Sequence, residues 1–202
     1  VNDKSEGFRF NGKVFDPSKC THGFGYSILE NETEDLKKEI TEFVALNDTV
    51  KIYLMKLTNK LNKKNDVDIT FWINPTFGNF EEKTSRHILS EFMGNDNYVK
   101  MRNVYSINFG DVNVFMSSSE KISSALCDKI LSKSYDINVS LNANEEKVMA
   151  FVLGCGMSDK ENVELINKYT NVENAQKELR KVKDDWRKTL GTIEVRSEDR
   201  AF

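Results

Sequence analysis

The residue types that could perform catalysis or bind a metal are few and widely spaced in this sequence. Its two histidines, His22 and His87, lie far apart, and neither belongs to an HExxH pattern, which would place two ligands on one helix face. No GxSxG nucleophile motif, phosphate-binding Walker loop or Rossmann fingerprint occurs. We therefore predict no catalytic residue and no metal site in this chain, and we interpret each histidine as structural or surface-exposed.

The three cysteines, Cys20, Cys127 and Cys155, are odd in number and show no CxxC spacing. This pattern favours neither a disulfide framework nor a zinc site. We expect three buried free thiols, as in proteins of a reducing compartment.

A sugar-cleaving site would need two carboxylates at a fixed separation, one of them with a raised pKa. Only Glu91 stands in an apolar context, and a surface position on an edge strand explains it better. Aromatic residues such as Phe24, Tyr26 and Trp72 could form flat platforms for sugars, although core packing explains most aromatic residues in this chain.

The elements that must position these residues are mainly β-strands. Three successive strand patterns occupy residues 23–29, 36–46 and 50–58. The third carries apolar residues on both faces, so we expect it to be covered on both, like an interior strand of a sandwich. Asn11-Gly12, between two short apolar runs, predicts a hairpin near the start.

Further patterns predict strands later in the chain: 67–73, 86–92 paired with 97–101, 105–109 paired with 112–117, 135–141 and 147–154. Residues 74–80 break the alternation and predict a loop. Residues 118–133 leave two alternatives open, a short helix at 121–131 or an irregular crossover.

The hydrophobic period changes from 2 to 3.6 at Gly156. Ser158 and Glu161 form a capping box that predicts one helix, with Val163, Ile166 and Tyr169 on its apolar face. Asn171 and Gly191 delimit a second helix. Its predicted stripe is Ala175, Leu179, Val182, Trp186 and Leu190. A short extended piece follows at 192–195. We therefore predict a mainly antiparallel β-sandwich over residues 1–156 and a helical segment over 157–202.

Composition excludes some partners. The 202 residues carry a net charge of −3, with lysines scattered among acidic residues rather than gathered into a basic stripe. Nucleic acids and anionic membranes are therefore not expected partners. No apolar run reaches the ~18 residues of a membrane-spanning helix, and we expect a soluble, cytoplasmic protein.

Five motifs, in order, resemble family 94 glycoside hydrolases, formerly glycosyltransferase family 36, and the first of them consists of two successive segments. THGFGYSILE and EITEFVALNDTVKIYLMKLTNK resemble that family's RHG-x-GYT and FVPLDDPVKI stretch. SRHILSEF, MRNVYSINFGDVNVFMSSSE and VMAFVLGCGMSDKENVELINKY resemble three later motifs, and AQKELRKVKDDWRKTLGTIEV resembles the helix and strand before the catalytic barrel. The glucan synthase and β-1,2-oligoglucan phosphorylase branch is the most similar.

The resemblance implies an antiparallel β-supersandwich, like galactose-mutarotase domains, with two C-terminal helices. It implies a non-catalytic domain that supports a separate (α/α)6 barrel and subunit assembly, within a phosphorylase or glucan synthase acting on β-glucan oligosaccharides. Inorganic phosphate would be the co-substrate of that parent enzyme, and no further cofactor is expected. Residues 157–202 would pack on the sandwich or lead to the barrel, and the chain ends at Phe202, before any barrel.

In the family, one loop of this domain reaches toward an active-site mouth of a neighbouring subunit, and its counterpart here is residues 79–87. The resemblance therefore implies that Arg86 and His87 lie close to carbohydrate. We assign the same role to His22, Phe24 and Tyr26. An exposed loop with solvated charges remains the competing interpretation, and a stand-alone carbohydrate-binding module or a structural interaction domain, possible as a homodimer, are the alternative functions.

Overall fold

The computed structural model describes residues 5–78, 81–127 and 132–192. In chain order the strands are β1 (Glu6–Phe10), β2 (Lys13–Val14), β3 (Lys19–Gly23), β4 (Tyr26–Glu32), β5 (Leu36–Val44), β6 (Val50–Asn59), β7 (Asn65–Ile73), β8 (Ile88–Met93), β9 (Tyr98–Asn103), β10 (Asn113–Ser118), β11 (Ser124–Leu126), β12 (Lys133–Leu141) and β13 (Glu146–Gly156). The helices are α1 (Glu81–Thr84), α2 (Asp159–Tyr169) and α3 (Val172–Leu190), and a 3-10 turn (Ser85–His87) joins α1 to β8.

The strands form two antiparallel sheets. The smaller sheet has the order β11-β12-β7-β1-β2, and the larger has the order β3-β4-β5-β6-β13-β10-β9-β8. The predicted fold, a mainly antiparallel sandwich with two C-terminal helices, is confirmed. Strands β3 and β8 form the two edges of the larger sheet.

Alternate residues of the facing sheets build the inter-sheet core. Phe8 and Phe71 stack with ring centroids 4.7 Å apart, and Phe151 meets Phe8 edge-on at 5.1 Å. The hydroxyl of Tyr135 donates a hydrogen bond of 2.7 Å to the Ser117 carbonyl, which satisfies a fully buried polar group.

Strand β6 separates this core from a second one. Tyr53, Met55 and Leu57 face the smaller sheet, whereas Val50, Ile52 and Leu54 face the helices. The prediction that this strand is covered on both faces is therefore confirmed.

Helices α2 and α3 cover part of the outer face of the larger sheet. The Glu161 N–H donates to Ser158 Oγ at 3.2 Å, and the Glu161 carboxylate accepts from the Met157 N–H at 2.8 Å, so the predicted capping box starts α2. Asn171 accepts from the Asn174 N–H at 3.1 Å and caps α3. Leu165, Ile166 and Tyr169 of α2 are buried, whereas the predicted Val163 is only partly buried.

The stripe predicted on α3 is covered only at its N-terminal end. Ala175 and Val182 are buried, but Trp186 is 39% exposed and Leu190 is 45% exposed. The helical period predicts which residues share a face, but the cover thins toward the C-terminal end, where Trp186 lies against the turn at Gly25 and stays partly exposed.

The hairpin predicted at Asn11-Gly12 joins β1 to β2. Both residues have positive φ, 49° and 78°, as the mirror-image turn of a two-residue hairpin requires. The pairing predicted between 86–92 and 97–101 is also present, as β8 and β9. Arg86 and His87 precede that ladder, in the 3-10 turn.

Two strand predictions are wrong. Residues 23–29 are not one strand, because Gly23 ends β3, Phe24-Gly25 turns and Tyr26 starts β4. Residues 105–109 form turns instead of a strand beside β10, since both sides of β10 are already paired, with β9 and with β13.

The structure decides between the two alternatives for residues 118–133, a short helix or an irregular crossover, in the part that it describes. Residues 121–127 contain no helix and include the short strand β11, which pairs with β12. The irregular crossover therefore describes this part, and residues 128–131 lie outside the described residues. The extended piece expected at 192–195 begins with Thr192 in a turn, and its other residues also lie outside.

The prediction of buried thiols is wrong. Cys20 is exposed because β3 is an edge strand, and Cys127 and Cys155 are partly exposed. No disulfide joins these three described cysteines.

Candidate functional site

The five residues predicted to lie near carbohydrate are divided between opposite edges of the larger sheet. His22, Phe24 and Tyr26 belong to the β3–β4 hairpin, whereas Arg86 and His87 immediately precede β8. Strands β5, β6, β13, β10 and β9 lie between these edges, which corresponds to roughly 25–30 Å of sheet. The structure therefore does not bring the five residues into one site.

At the first edge, the β3–β4 turn is the point where helix α3 docks. Gly25 has a φ of +80°, and a Cβ atom there would lie 2.3 Å from Trp186 Nε1. The Lys183 ammonium lies 4.1 Å from the ring centroid of Tyr26. We call this region the helix-docking corner. Its members are Phe24, Gly25 and Tyr26 of the turn and Val182, Lys183 and Trp186 of α3.

The remaining predicted residues at this edge have mainly local partners. His22 Nδ1 lies 2.9 Å from Ser27 Oγ, and Nε2 lies 3.3 Å from Cys20 Sγ. Both ring nitrogens are thus used within the hairpin. Phe24 is 68% exposed, and His22 is exposed as well, whereas Tyr26 is only partly exposed.

At the second edge, Arg86 is exposed and the His87 ring stacks on Tyr105, with ring centroids 4.4 Å apart and an interplanar angle of 18°. The buried Asn103 holds this arrangement. Its carbonyl oxygen accepts from the N–H groups of Tyr105 and Ser106 at 3.1 and 3.2 Å, and its amide donates to the Phe77 carbonyl at 3.0 Å.

The loop after β9 exposes an unusual number of large apolar side chains. Tyr105 is 76% exposed and Ile107 is fully exposed. Together with His87 they form the surface that we call the β8 edge surface. Its members are His87, Leu89, Val104, Tyr105, Ile107 and Phe109. Large exposed apolar side chains grouped on one edge and the loop after it are typical of a binding or interaction surface.

A polar groove lies beside this surface, on the outer face of β8, β9 and β10 that the helices leave uncovered. It consists of two shallow depressions of about 430 and 480 Å³ that share Lys100 and Arg102. The other polar side chains lining it are Ser90, Glu91, Asp111, Asn113 and Asp159.

Several groups in this polar groove are suited to binding hydroxyl-bearing ligands. Lys100 forms an ion pair with Asp159 at the start of α2. Arg102 donates to the Gly110 carbonyl at 3.3 Å, while its Nε and Asn113 Oδ1 are buried without a hydrogen-bond partner among the described residues. Charged and amide groups of this kind can both donate to and accept from sugar hydroxyls.

The sequence did not indicate Asn103, Lys100 or Arg102 as functional residues, and it offered Tyr105 only as one of several aromatic residues that core packing mostly explains. Asn103 and Tyr105 lie near Arg86 and His87 only because β8 and β9 pair antiparallel, with Ile88 opposite Asn103. The sequence signal for this exposed surface is the run of apolar residues after β9, whose pattern predicts a strand.

The described residues offer no visible acid–base or metal chemistry. No group of three or more possible metal ligands occurs within the described ranges. Where the pKa of a described carboxyl group is displaced, it is lowered, in each case first by a side-chain hydrogen bond, whereas a general acid needs a raised pKa. These groups are Glu30, Glu32, Asp35, Asp48 and Asp66. Among the helices of the described part, none is long and apolar enough to span a membrane.

Solved structures resemble this chain at low identity. A polysaccharide lyase matches 78% of this chain with a TM-score of 0.49 and 9% identity. A protein assigned as a kojibiose phosphorylase, from the human microbiome, matches 89% with a TM-score of 0.41 and 10% identity. A protein assigned as an aldose 1-epimerase, from Escherichia coli K12, matches 69% with a TM-score of 0.47 and 6% identity.

The matched regions are parts of longer proteins in the first two cases. The chain covers 27% of the lyase and 24% of the phosphorylase, but 68% of the epimerase. No curated protein matches the chain. The family model for the glycosyl hydrolase 94 supersandwich domain matches residues 13–131, which is more than half of the chain and includes both sheet edges. The chain therefore belongs to glycosyl hydrolase family 94, in which it matches the supersandwich domain.

Proposed function

We propose that this chain is the non-catalytic domain of a phosphorylase or glucan synthase-like protein, where it supports a separate catalytic barrel and subunit assembly. The observation that carries the proposal is the β8 edge surface, with Tyr105 76% and Ile107 100% exposed within the family-matched region. Large apolar side chains held in the open by a buried residue, Asn103, are what an interface requires before its partner docks.

The parent enzyme would act on β-glucan oligosaccharides, with inorganic phosphate as co-substrate if it is a phosphorylase, in the cytoplasm. Arg86 and His87 would then lie where the sandwich meets the barrel and the sugar. The β3–β4 hairpin has an internal structural role in this proposal, since His22 contacts Ser27 within the hairpin and Tyr26 contacts Lys183 of α3.

The reading frame downstream of the codon for Phe202 tests this proposal most directly. We expect it to continue into several hundred further residues with helical periodicity, as an (α/α)6 barrel requires. A stop codon immediately after that codon would overturn the proposal. Phosphorolysis assays on this chain alone should detect no turnover.

A second candidate function, a stand-alone carbohydrate-binding module, is favoured by the polar groove and by the stacked His87 and Tyr105 rings. It predicts that β-1,2-gluco-oligosaccharides displace the amide NMR signals of this edge, and that Arg86→Ala weakens binding. Arg180→Ala is the matched control, because Arg180 is exposed on α3. Unchanged spectra at ~10 mM sugar, well above a Kd of ~1 mM, would exclude this function.

A further inference from the structure

A separate cavity lies between the two sheets near β1 and β2, and none of its lining residues belongs to the β8 edge surface. Its volume is about 310 Å³, and its apolar wall includes Phe8, Phe15, Leu29 and Ile40. This volume is at the lower end of the range for ligand pockets. It offers room for one molecule of the size of a sugar ring, and not for an oligosaccharide.

An ionic cluster lines one side of this cavity. Lys51 of β6 contacts Glu6 of β1 and lies 3.2 Å from Glu42 of β5. Burial alone would lower the pKa of Lys51, but the hydrogen bonds and charges of the two carboxylates outweigh it and raise the pKa. Two carboxylates therefore share one ammonium, and both retain lone pairs that can accept further hydrogen bonds.

Two side chains that line the cavity, Tyr53 and Trp72, carry buried hydrogen-bond donors that make no hydrogen bond of normal geometry to any described residue. These donors are the Tyr53 hydroxyl and the Trp72 indole N–H, and their side chains are only 3% and 8% exposed. Burial, followed by the charge of Glu6 and by hydrogen bonding with its carboxylate, raises the pKa of Tyr53, so its hydroxyl keeps its proton and lies close to Glu6. Buried donors are normally paired, and an unpaired one calls for an explanation.

Gly7 allows one of these donors to reach the rim of the cavity. It lies opposite Trp72 in the β1–β7 ladder, and a Cβ atom at this position would lie 3.3 Å from Trp72 Nε1. The absence of a side chain thus lets the indole lie across β1.

We infer that this inter-sheet cavity binds one uncharged polyhydroxyl molecule of monosaccharide size, with Tyr53 and Trp72 donating to it and Glu6 and Glu42 accepting from it. Hydroxyl groups suit this cavity because each can accept and donate at once. The aromatic wall of Phe8 and Phe15 suits the C–H faces of a sugar ring, and the excess carboxylate disfavours anions. The inference is independent of the proposed barrel and of the β8 edge surface.

Titration with D-glucose, followed by the indole N–H signals in 15N–1H NMR spectra, tests this inference. The chain has only two tryptophans, so Trp186, which lies against Gly25 and does not line the cavity, serves as an internal reference. We expect a saturable displacement of the Trp72 signal and little change at Trp186. D-glucuronate, which carries a carboxylate, should bind more weakly.

The variant Tyr53→Phe removes one donor and keeps the shape of the ring. It should weaken glucose binding about tenfold, the effect of one hydrogen bond, without lowering the midpoint of urea unfolding. Tyr98→Phe is the matched control, because Tyr98 also has a buried hydroxyl without a described partner but does not line the cavity. The inference is overturned if the Trp72 signal does not move at ~100 mM glucose, far above a Kd of ~1 mM, or if Tyr53→Phe binds glucose as tightly as the wild type. Either result leaves the proposed scaffold function untouched.

Discussion

The two edges of the larger sheet carry similar residue types and differ in what covers them. Each has a histidine, an exposed aromatic residue and a nearby basic side chain. At the helix-docking corner, α3 lies against Gly25, and Lys183 contacts Tyr26. At the β8 edge surface, no described helix covers Tyr105 or Ile107. The comparison shows that side-chain type alone does not make a site, since the position of one helix decides which edge remains available to partners.

The largest change in stability that we expect distinguishes the packing of α3 against the β3–β4 turn from strain in the backbone of that turn. Gly25→Ala should lower the free energy of unfolding by ~3 kcal/mol, from the left-handed φ and the clash with Trp186 and Val182. Gly12→Ala is the matched control, because Gly12 has nearly the same φ, +78°, with nothing within 4 Å of the added Cβ. It should cost only ~1 kcal/mol. Urea unfolding measures both values, and equal losses would show that α3 does not press on the hairpin.

A smaller change in stability concerns the contact between α2 and the β5–β6 turn, which should depend on pH. Asp48, in the β5–β6 turn, accepts from Lys168 and Tyr169 at the end of α2, and these hydrogen bonds lower its pKa. Because the folded-state pKa lies below the usual 3.8, the stabilisation is complete above that value and is lost as the pH falls through the folded-state pKa. Its side chain is 24% exposed, so we expect only ~1 kcal/mol at pH 7.

Asp48→Asn should therefore have a lower free energy of unfolding than the wild type at pH 7. At about pH 2 the two proteins should be equally stable, because Asp48 of the wild type is then protonated and neither side chain carries a charge. Unfolding in urea at a series of pH values measures it. Asp111→Asn, an exposed position beside the polar groove, should show no such difference. A constant deficit for Asp48→Asn at every pH would mean that packing, rather than charge, links α2 to this turn.

Sequence patterns were sufficient for the layers of the fold but not for the site. The prediction that β6 is covered on both faces is confirmed. It follows from the sequence alone, because apolar residues at both odd and even positions of a strand favour burial of both faces. Asn11-Gly12 and the Ser158 cap are local signals that depend on few residues. The separation of Tyr26 from His87 was not predictable in this way, because it depends on β13 inserting between β6 and β10.

The dependence on long-range packing also explains the wrong predictions for the end of the α3 stripe and for residues 105–109. Whether Trp186 is covered depends on how far the sheet extends beneath α3, which no local pattern encodes. Residues 105–109 have strand-like composition, but β10 had no free side on which to pair. Long-range pairing therefore overrode local propensity at the β8 edge surface.

The smallest expected effect on stability tests whether the β8 edge surface is truly uncovered. Ile107→Ala should change the free energy of unfolding by less than ~0.5 kcal/mol, because a fully exposed side chain loses no contacts within the chain. Val182→Ala, in the helix-docking corner and only 1% exposed, should cost ~2 kcal/mol. If Ile107→Ala instead costs ~1 kcal/mol or more, the surface is covered in solution. Analytical ultracentrifugation at several concentrations then identifies the cover, since an average mass that rises with concentration in the wild type and not in Ile107→Ala means that a second copy of this chain docks there.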